Sequence, residues 1–212
     1  ILPKGLHRKP VLYVKRRNRL SKKPNKEKQN TKKLLWRCSP VNKERKVTLN
    51  GMPMTLMGEK VETGQKTPDF KVVDQDLKEY TLKDFSGKIK VISVTPSLDT
   101  PVCDMQAHRF NEEAVNLPDD VVILNISMDL PFAIKRFCMA EDIYNIKTLS
   151  DHREASFGRN WGVLVKELRF LARAVFVVDK DDVIRYMEIV PEISNHPDYF
   201  KALEALKGLI GK

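Results

Sequence analysis

The sequence has no apolar run approaching the roughly 20 residues that a membrane-spanning helix needs. It also has no short apolar core of the kind that marks a secretory signal. Cysteine is scarce: Cys38, Cys103 and Cys138 are the three in 212 residues. That is too few for the disulfide framework of a small secreted domain, and a reducing, cytoplasmic setting is expected. No Cys-x-x-Cys pair occurs, so the commonest thiol–disulfide exchange motif is missing. The four histidines (7, 108, 152 and 196) and the cysteines fall at no metal-ligand spacing. No metal and no cofactor are expected. No internal repeat is visible.

Acidic residues are nearly missing from the start of the chain. Residues 1–46 carry 17 Lys/Arg against 2 Asp/Glu, whereas 47–212 carry 21 against 26, so the overall +10 belongs to an arm. Residues 1–45 are charge runs broken by proline with little to bury, and they read as a basic, disordered arm. Three readings of it stay open: a polyanion-binding tail, a targeting segment, or a non-native leader with no role. Nucleic acid is a partner only through this arm, because residues 47–212 hold no aromatic-plus-basic motif. Cys38 lies in it, next to Trp36 and Arg37.

Residues 46–212 are patterned for an α/β domain. Val47–Leu49 and Met52–Leu56 flank Asn50-Gly51, a strong hairpin signal. Strands are expected at 71–74, 80–82, 90–94, 121–126, 146–149, 174–178 and 183–189, the last two joined by a turn at 179–182. Helices are expected after Thr100, over 131–141, over 155–161 and over 199–210, the last with Phe200, Leu203, Leu206 and Ile210 as its apolar stripe. Alternating strands and helices, then a hairpin and a closing helix, give a three-layer α/β arrangement.

One strand-to-helix turn carries the chemistry: Pro96-Ser97-Leu98-Asp99-Thr100-Pro101-Val102-Cys103. Thr100 suits the N-cap and Pro101 the first helical position, where a missing N–H is harmless. Cys103 then falls in the first turn, beside unpaired backbone N–H groups and the positive end of the helix dipole. Such a position activates a thiol as a nucleophile, although an isolated cysteine can equally be a small buried hydrophobe. His108 lies five residues on, about 140° round the helix, and is badly aimed to act as a base. A thiolate without a protein base suits attack on a neutral oxidant such as a peroxide O–O bond.

The pattern Pro96-x-x-x-Thr100-x-x-Cys103 resembles the peroxiredoxin active-site motif. The segments PSLDTPVCDMQAHRFNEEA, ISMDLPFAIKRFC, TLSDHREASFG, LARAVFVVD and IVPEIS resemble, in order, the bacterial thiol peroxidases, atypical 2-Cys peroxiredoxins. The resemblance runs from about Lys46 to the C-terminus. It implies a thioredoxin-like three-layer α/β/α sandwich with an N-terminal β-hairpin, commonly a homodimer. It implies Cys103 as the peroxidatic cysteine, Thr100 holding peroxide and sulfur, and Arg173 as the stabilising cation. It implies Pro96 as the residue shaping the loop, and Cys138 as the resolving cysteine that closes a Cys103–Cys138 disulfide. Hydrogen peroxide and organic hydroperoxides are the implied substrates, with thioredoxin as reductant. A redox sensor using the same cysteines is the alternative within this chemistry. Read from the residues alone, Cys138 is a packed core thiol and Arg173 a strand arginine. Two cysteines on separate helices are expected to need local unwinding before they can bond.

Three departures from the family pattern stand out. The stretch between Gly162 and Ala172 reads as a loop, Val-Leu-Val-Lys-Glu-Leu-Arg-Phe-Leu, where the family usually has a Gly-Pro-containing one. Asn125 stands where some relatives carry a cysteine, and Thr95 precedes Pro96 where an aromatic residue or Val is more usual.

Overall fold

The computed structural model describes residues 45–211. Residues 1–44, with Cys38 and nearly all of the expected arm, lie outside the described residues. The last residue assigned to that arm, Arg45, is the first of strand β1.

Strand β1 (Arg45–Leu49) and β2 (Met52–Met57) form the expected hairpin. Asn50 and Gly51 both take positive φ, 49° and 78°, as the tightest hairpin turn requires. A two-residue strand, β8 (Leu164–Val165), pairs with β2 and completes a three-stranded sheet. This strand lies in the stretch where a loop was expected. There Glu167 folds back so that its carboxylate accepts the Thr55 N–H at 3.0 Å.

The main sheet has seven strands in the order β10-β9-β5-β6-β7-β3-β4. They are β3 (Lys71–Val73), β4 (Glu79–Thr81), β5 (Ile89–Val94), β6 (Val121–Ser127), β7 (Lys147–Ser150), β9 (Ala174–Val178) and β10 (Ile184–Ile189). The central strands β5, β6 and β7 run parallel, and the outer pairings are antiparallel. Every residue of β5 is buried, the pattern of a strand covered on both faces. Lys90 is therefore an exception within it, and Asp182 Oδ1 answers its ammonium at 2.5 Å.

Alternation along the strands divides the core in two. Ile89, Val91, Val175 and Val177 meet α1 (Pro101–Ala114), α2 (Pro131–Ala140) and α4 (Tyr199–Lys207) on one face. Ile92, Val94, Phe176 and Val178 meet the small sheet, the short α3 (Ser156–Asn160) and a 3-10 turn (Leu82–Phe85) on the other. Trp161, stacked on Phe157 at 5.0 Å between centroids, fills the centre of that second layer. Three of the four residues expected on the α4 stripe pack on the core, Leu206 fully and Leu203 and Ile210 in part; Phe200 departs from it. Ala202 and Leu206 are its buried residues, while Phe200 is 69% exposed. Small Ala202 lets the helix backbone approach the sheet, which turns the bulky Phe200 outward. No helix among the described residues is long and apolar enough to cross a membrane.

Candidate active site

Strand β5 delivers the chain to the turn that opens α1. Pro96 and Ser97 are half-buried and Leu98 is buried. One carboxylate from the loop between β6 and α2 fixes this turn. Asp129 Oδ1 accepts from Ser97 Oγ at 2.7 Å, and its Oδ2 accepts from the Leu98 N–H at 2.8 Å and from Ser127 Oγ at 2.8 Å. The site's entry loop is thus tied to the loop that starts α2, a link between residues 32 apart that no local pattern announces.

Thr100 occupies the N-cap position and Pro101 the first helical position, as expected. The threonine hydroxyl does not cap the helix, however: it donates to the Ser97 carbonyl at 3.1 Å. Its proton is thereby committed to the turn, and the exposed oxygen keeps its lone pairs. Cys103 is the third residue of α1 and fully buried.

Arg173, the residue just before β9, reaches Cys103. Its Nη2 donates to Sγ at 3.4 Å, its Nη1 to Gln106 Oε1 at 2.7 Å, and its Nε to the Ile193 carbonyl at 2.8 Å. Gln106 is held in turn, donating from Nε2 to Ser93 Oγ at 2.7 Å. Three arms of one planar guanidinium are spent on three fixed acceptors, so the cation has a single pose. Arg173 is 2% exposed, and no carboxylate pairs with it among the described residues. A sulfur anion at Cys103 is the charge complement this buried cation needs. Tyr199, the first residue of α4, feels the same charges. Burial pushes its hydroxyl above the usual range, and Arg173 opposes that shift while Cys103 adds to it.

The second cysteine sits in a different network. Cys138 is buried on α2, with its Sγ 3.5 Å from Thr148 Oγ1. Burial raises the Cys138 thiol above its usual value, and hydrogen bonds from Thr148 and Gln75 work against that rise. Cys103 and Cys138 are both free thiols here. The structure therefore joins Cys103 to Arg173, keeps Thr100 and Pro96 on the same turn, and holds Cys138 apart. Gln106, Asp129 and Thr148 were not singled out by the sequence. Only Gln106 left a local signal, one turn after Cys103 on the same helix face.

One group of side chains among the described residues could hold a metal ion. Asp104, His108 and Glu141 each bring a ligand atom within 4.8 Å of the others. Histidine and cysteine spacing passes over it because carboxylates supply two members. All three side chains are partly exposed, and His108 Nε2 already bridges Asp104 at 3.3 Å and Glu141 at 3.4 Å.

Comparison with known proteins gives the family. A family model described as Redoxin matches residues 62–203. A thiol peroxidase of Halalkalibacterium halodurans is 53% identical over 164 residues, covering 77% of this chain and 98% of that protein. A thiol peroxidase of Bacillus subtilis is 51% identical, covering 77% and 98%. Among solved structures, a peroxiredoxin-like protein from Aquifex aeolicus superposes with a TM-score of 0.74 at 40% identity, covering 78% of this chain and 98% of that one. The family model spans the seven-stranded sheet and both cysteine helices, and with the thiol peroxidase relatives it shows that the chain belongs to the redoxin family and, within it, to the thiol peroxidases.

Proposed function

We propose that the chain reduces hydroperoxides through Cys103, and the Arg173 Nη2 to Cys103 Sγ contact is the observation that carries this reading. The Cys103 thiolate attacks one peroxide oxygen. The S–O bond forms as the O–O bond breaks, and the second oxygen leaves as an alcohol or water after taking a proton. Arg173 stabilises the sulfur anion and the negative charge that develops on oxygen. Thr100, with its lone pairs free, orients the peroxide, and Pro96 shapes the wall of the turn. Cys138 then attacks the Cys103 sulfenic acid to form a Cys103–Cys138 disulfide. A thioredoxin-type dithiol returns two electrons to it. Hydrogen peroxide and organic hydroperoxides are the substrates of this cycle, in antioxidant defence. The working protein is a cytoplasmic homodimer, and the family membership does not favour polyanion binding or sensing as its main role.

The test is one equivalent of hydroperoxide added to the reduced protein, followed by mass mapping of the cysteines. A Cys103–Cys138 bridge is expected in the wild type. Cys103→Ser should abolish it, and Cys138→Ser should leave sulfenic or over-oxidised Cys103. A bridge to Cys38, or no oxidation, would overturn the assignment.

A further inference from the structure

Three neighbouring strands set one polar side chain each in a single row beneath the helices. Ser93 of β5 pairs in register with Asn125 of β6, and Asn125 with Thr148 of β7. All three are buried, at 0%, 2% and 3% exposure. At one end Ser93 belongs to the Gln106–Arg173–Cys103 network. At the other end Thr148 meets Cys138. A buried hydroxyl is unfavourable unless it is bonded, and valine would suit a covered strand as well, so Thr148 calls for a reason.

The hydrogen bonds around Thr148 have a direction. Gln75 Nε2 donates to Thr148 Oγ1 at 2.8 Å. An amide nitrogen only donates, so the threonine oxygen accepts that bond and its own hydrogen is available to its other neighbour, Cys138 Sγ, the direction an anionic sulfur requires. The turn bearing Gln75 is fastened on both sides. Asp74 pairs with Lys147, the residue before Thr148, at 3.0 Å, and Asp76 pairs with Lys135 of α2 at 2.8 Å. Three consecutive residues, 74 to 76, therefore hold β7 and α2 around the Cys138 thiol.

We propose that Thr148, oriented by Gln75, is a positioning residue for disulfide formation: its hydroxyl donates to the Cys138 sulfur and stabilises the anion that attacks. This rests on the reading of Cys138 as the resolving cysteine. In that step the Cys138 sulfur bonds to the Cys103 sulfur as the S–O bond of the sulfenic acid breaks. The departing hydroxide takes up the proton that Cys138 lost, and water leaves. Burial of Cys138 disfavours the attacking anion, and Thr148 and Gln75 are the side chains that counter it.

The test compares Thr148→Val, which keeps the shape without the hydroxyl, with Thr148→Ser, which keeps the hydroxyl. Reduced full-length protein is mixed with hydrogen peroxide, quenched over time, alkylated and weighed. Thr148→Val should slow disulfide formation about tenfold, the effect of one hydrogen bond to a charged sulfur, and should raise the sulfinic fraction of Cys103. Sulfenic acid formation at Cys103 should keep its wild-type rate, and Thr148→Ser should recover disulfide formation to within about threefold of wild type. Gln75→Leu, which leaves Thr148 in place, should slow the same step by about threefold and carries the test should the valine variant not fold. Wild-type disulfide rates in Thr148→Val and Gln75→Leu, or a serine variant as slow as the valine one, would overturn the proposal alone. A wild type that forms no Cys103–Cys138 disulfide would instead remove the resolving role, and the proposal with it.

Discussion

Replacing Arg173 by methionine removes a cation that lies 3.4 Å from the Cys103 sulfur, with both side chains out of water. At that separation a pair of unit charges is worth about 5 kcal/mol when the effective dielectric constant is about 20. Desolvation offsets part of it. A loss of about 3–4 kcal/mol in the transition state corresponds to a rate of sulfenic acid formation lowered roughly 100- to 1000-fold. Arg173→Lys keeps the charge, but one ammonium cannot serve Gln106 Oε1, the Ile193 carbonyl and Cys103 Sγ together. It should fall between, at about 10- to 50-fold. The methionine variant also leaves two buried acceptors without a donor, at about 1–3 kcal/mol each, so its stability must be followed in parallel by urea unfolding. The assay is the pseudo-first-order loss of the free Cys103 thiol at several peroxide concentrations. A folded Arg173→Met protein reacting within about threefold of wild type would refute the reasoning, because a charge effect of this size cannot be hidden.

Asp129→Ala should free Ser97 and Leu98 and lower kcat/KM for peroxide about tenfold, with about 1–3 kcal/mol lost in urea unfolding; unchanged kinetics would show that the turn holds itself. Glu192 accepts from Thr48, Asn50, Gly51 and Ser194, and these bonds, the Ser194 hydroxyl foremost, hold its carboxyl well below the usual range. A depressed carboxylate adds stability above its unfolded value of about 4.3 and loses it as pH falls toward its folded value. The stability gap between wild type and Glu192→Gln should therefore be constant above about pH 6 and narrow below about pH 4, as read by unfolding curves across that range. Gly58 has φ +96°, and an added Cβ would lie 1.9 Å from the Arg159 carbonyl oxygen, whereas Gly87, at φ +74°, has open space. Gly58→Ala should thus lose about 3 kcal/mol or more and Gly87→Ala about 1–2 kcal/mol in thermal unfolding.

The parts of this molecule that local chemistry dictates could be read from the chain. Asn50-Gly51 demanded a turn with positive φ, and the Thr100-Pro101 pair marked the start of α1. The parts that escaped are those fixed by register or by distant partners. Strand β8 is two residues long, too short for any period, and exists because β2 offers it an edge. Gln106 and Asp129 look like ordinary surface polar residues until the sheet brings Ser93, Arg173 and Ser97 to them. Thr148 gains its meaning only from a register that sets it beside Asn125 and under Cys138. Phe200 failed for a related reason: spacing of large apolar residues placed it inward, while contact with the sheet favoured the smaller Ala202.

The same structure limits how much of it must move in the proposed cycle. Disulfide formation needs Cα atoms within about 7 Å, and the two thiols start in separate networks on separate helices. Each cysteine nevertheless lies within one turn of a helix end. Cys103 is the third residue of α1, and α2 stops at Ala140, two residues after Cys138. The bonds that close the end of α2 are the Glu141 N–H to the Phe137 carbonyl at 2.9 Å and the Ile143 N–H to the Cys138 carbonyl at 3.0 Å. At the other helix, the Asp104 N–H to Thr100 carbonyl bond, at 2.9 Å, ties down the opening turn. Loss of a few backbone bonds at about 1 kcal/mol each is within reach of ordinary local opening. The sheet and its polar row need not yield. Hydrogen exchange on a reduced protein and on its disulfide form should accordingly differ at residues 101–106 and 137–143. Protection spread evenly over β5, β6 and β9 would contradict this division.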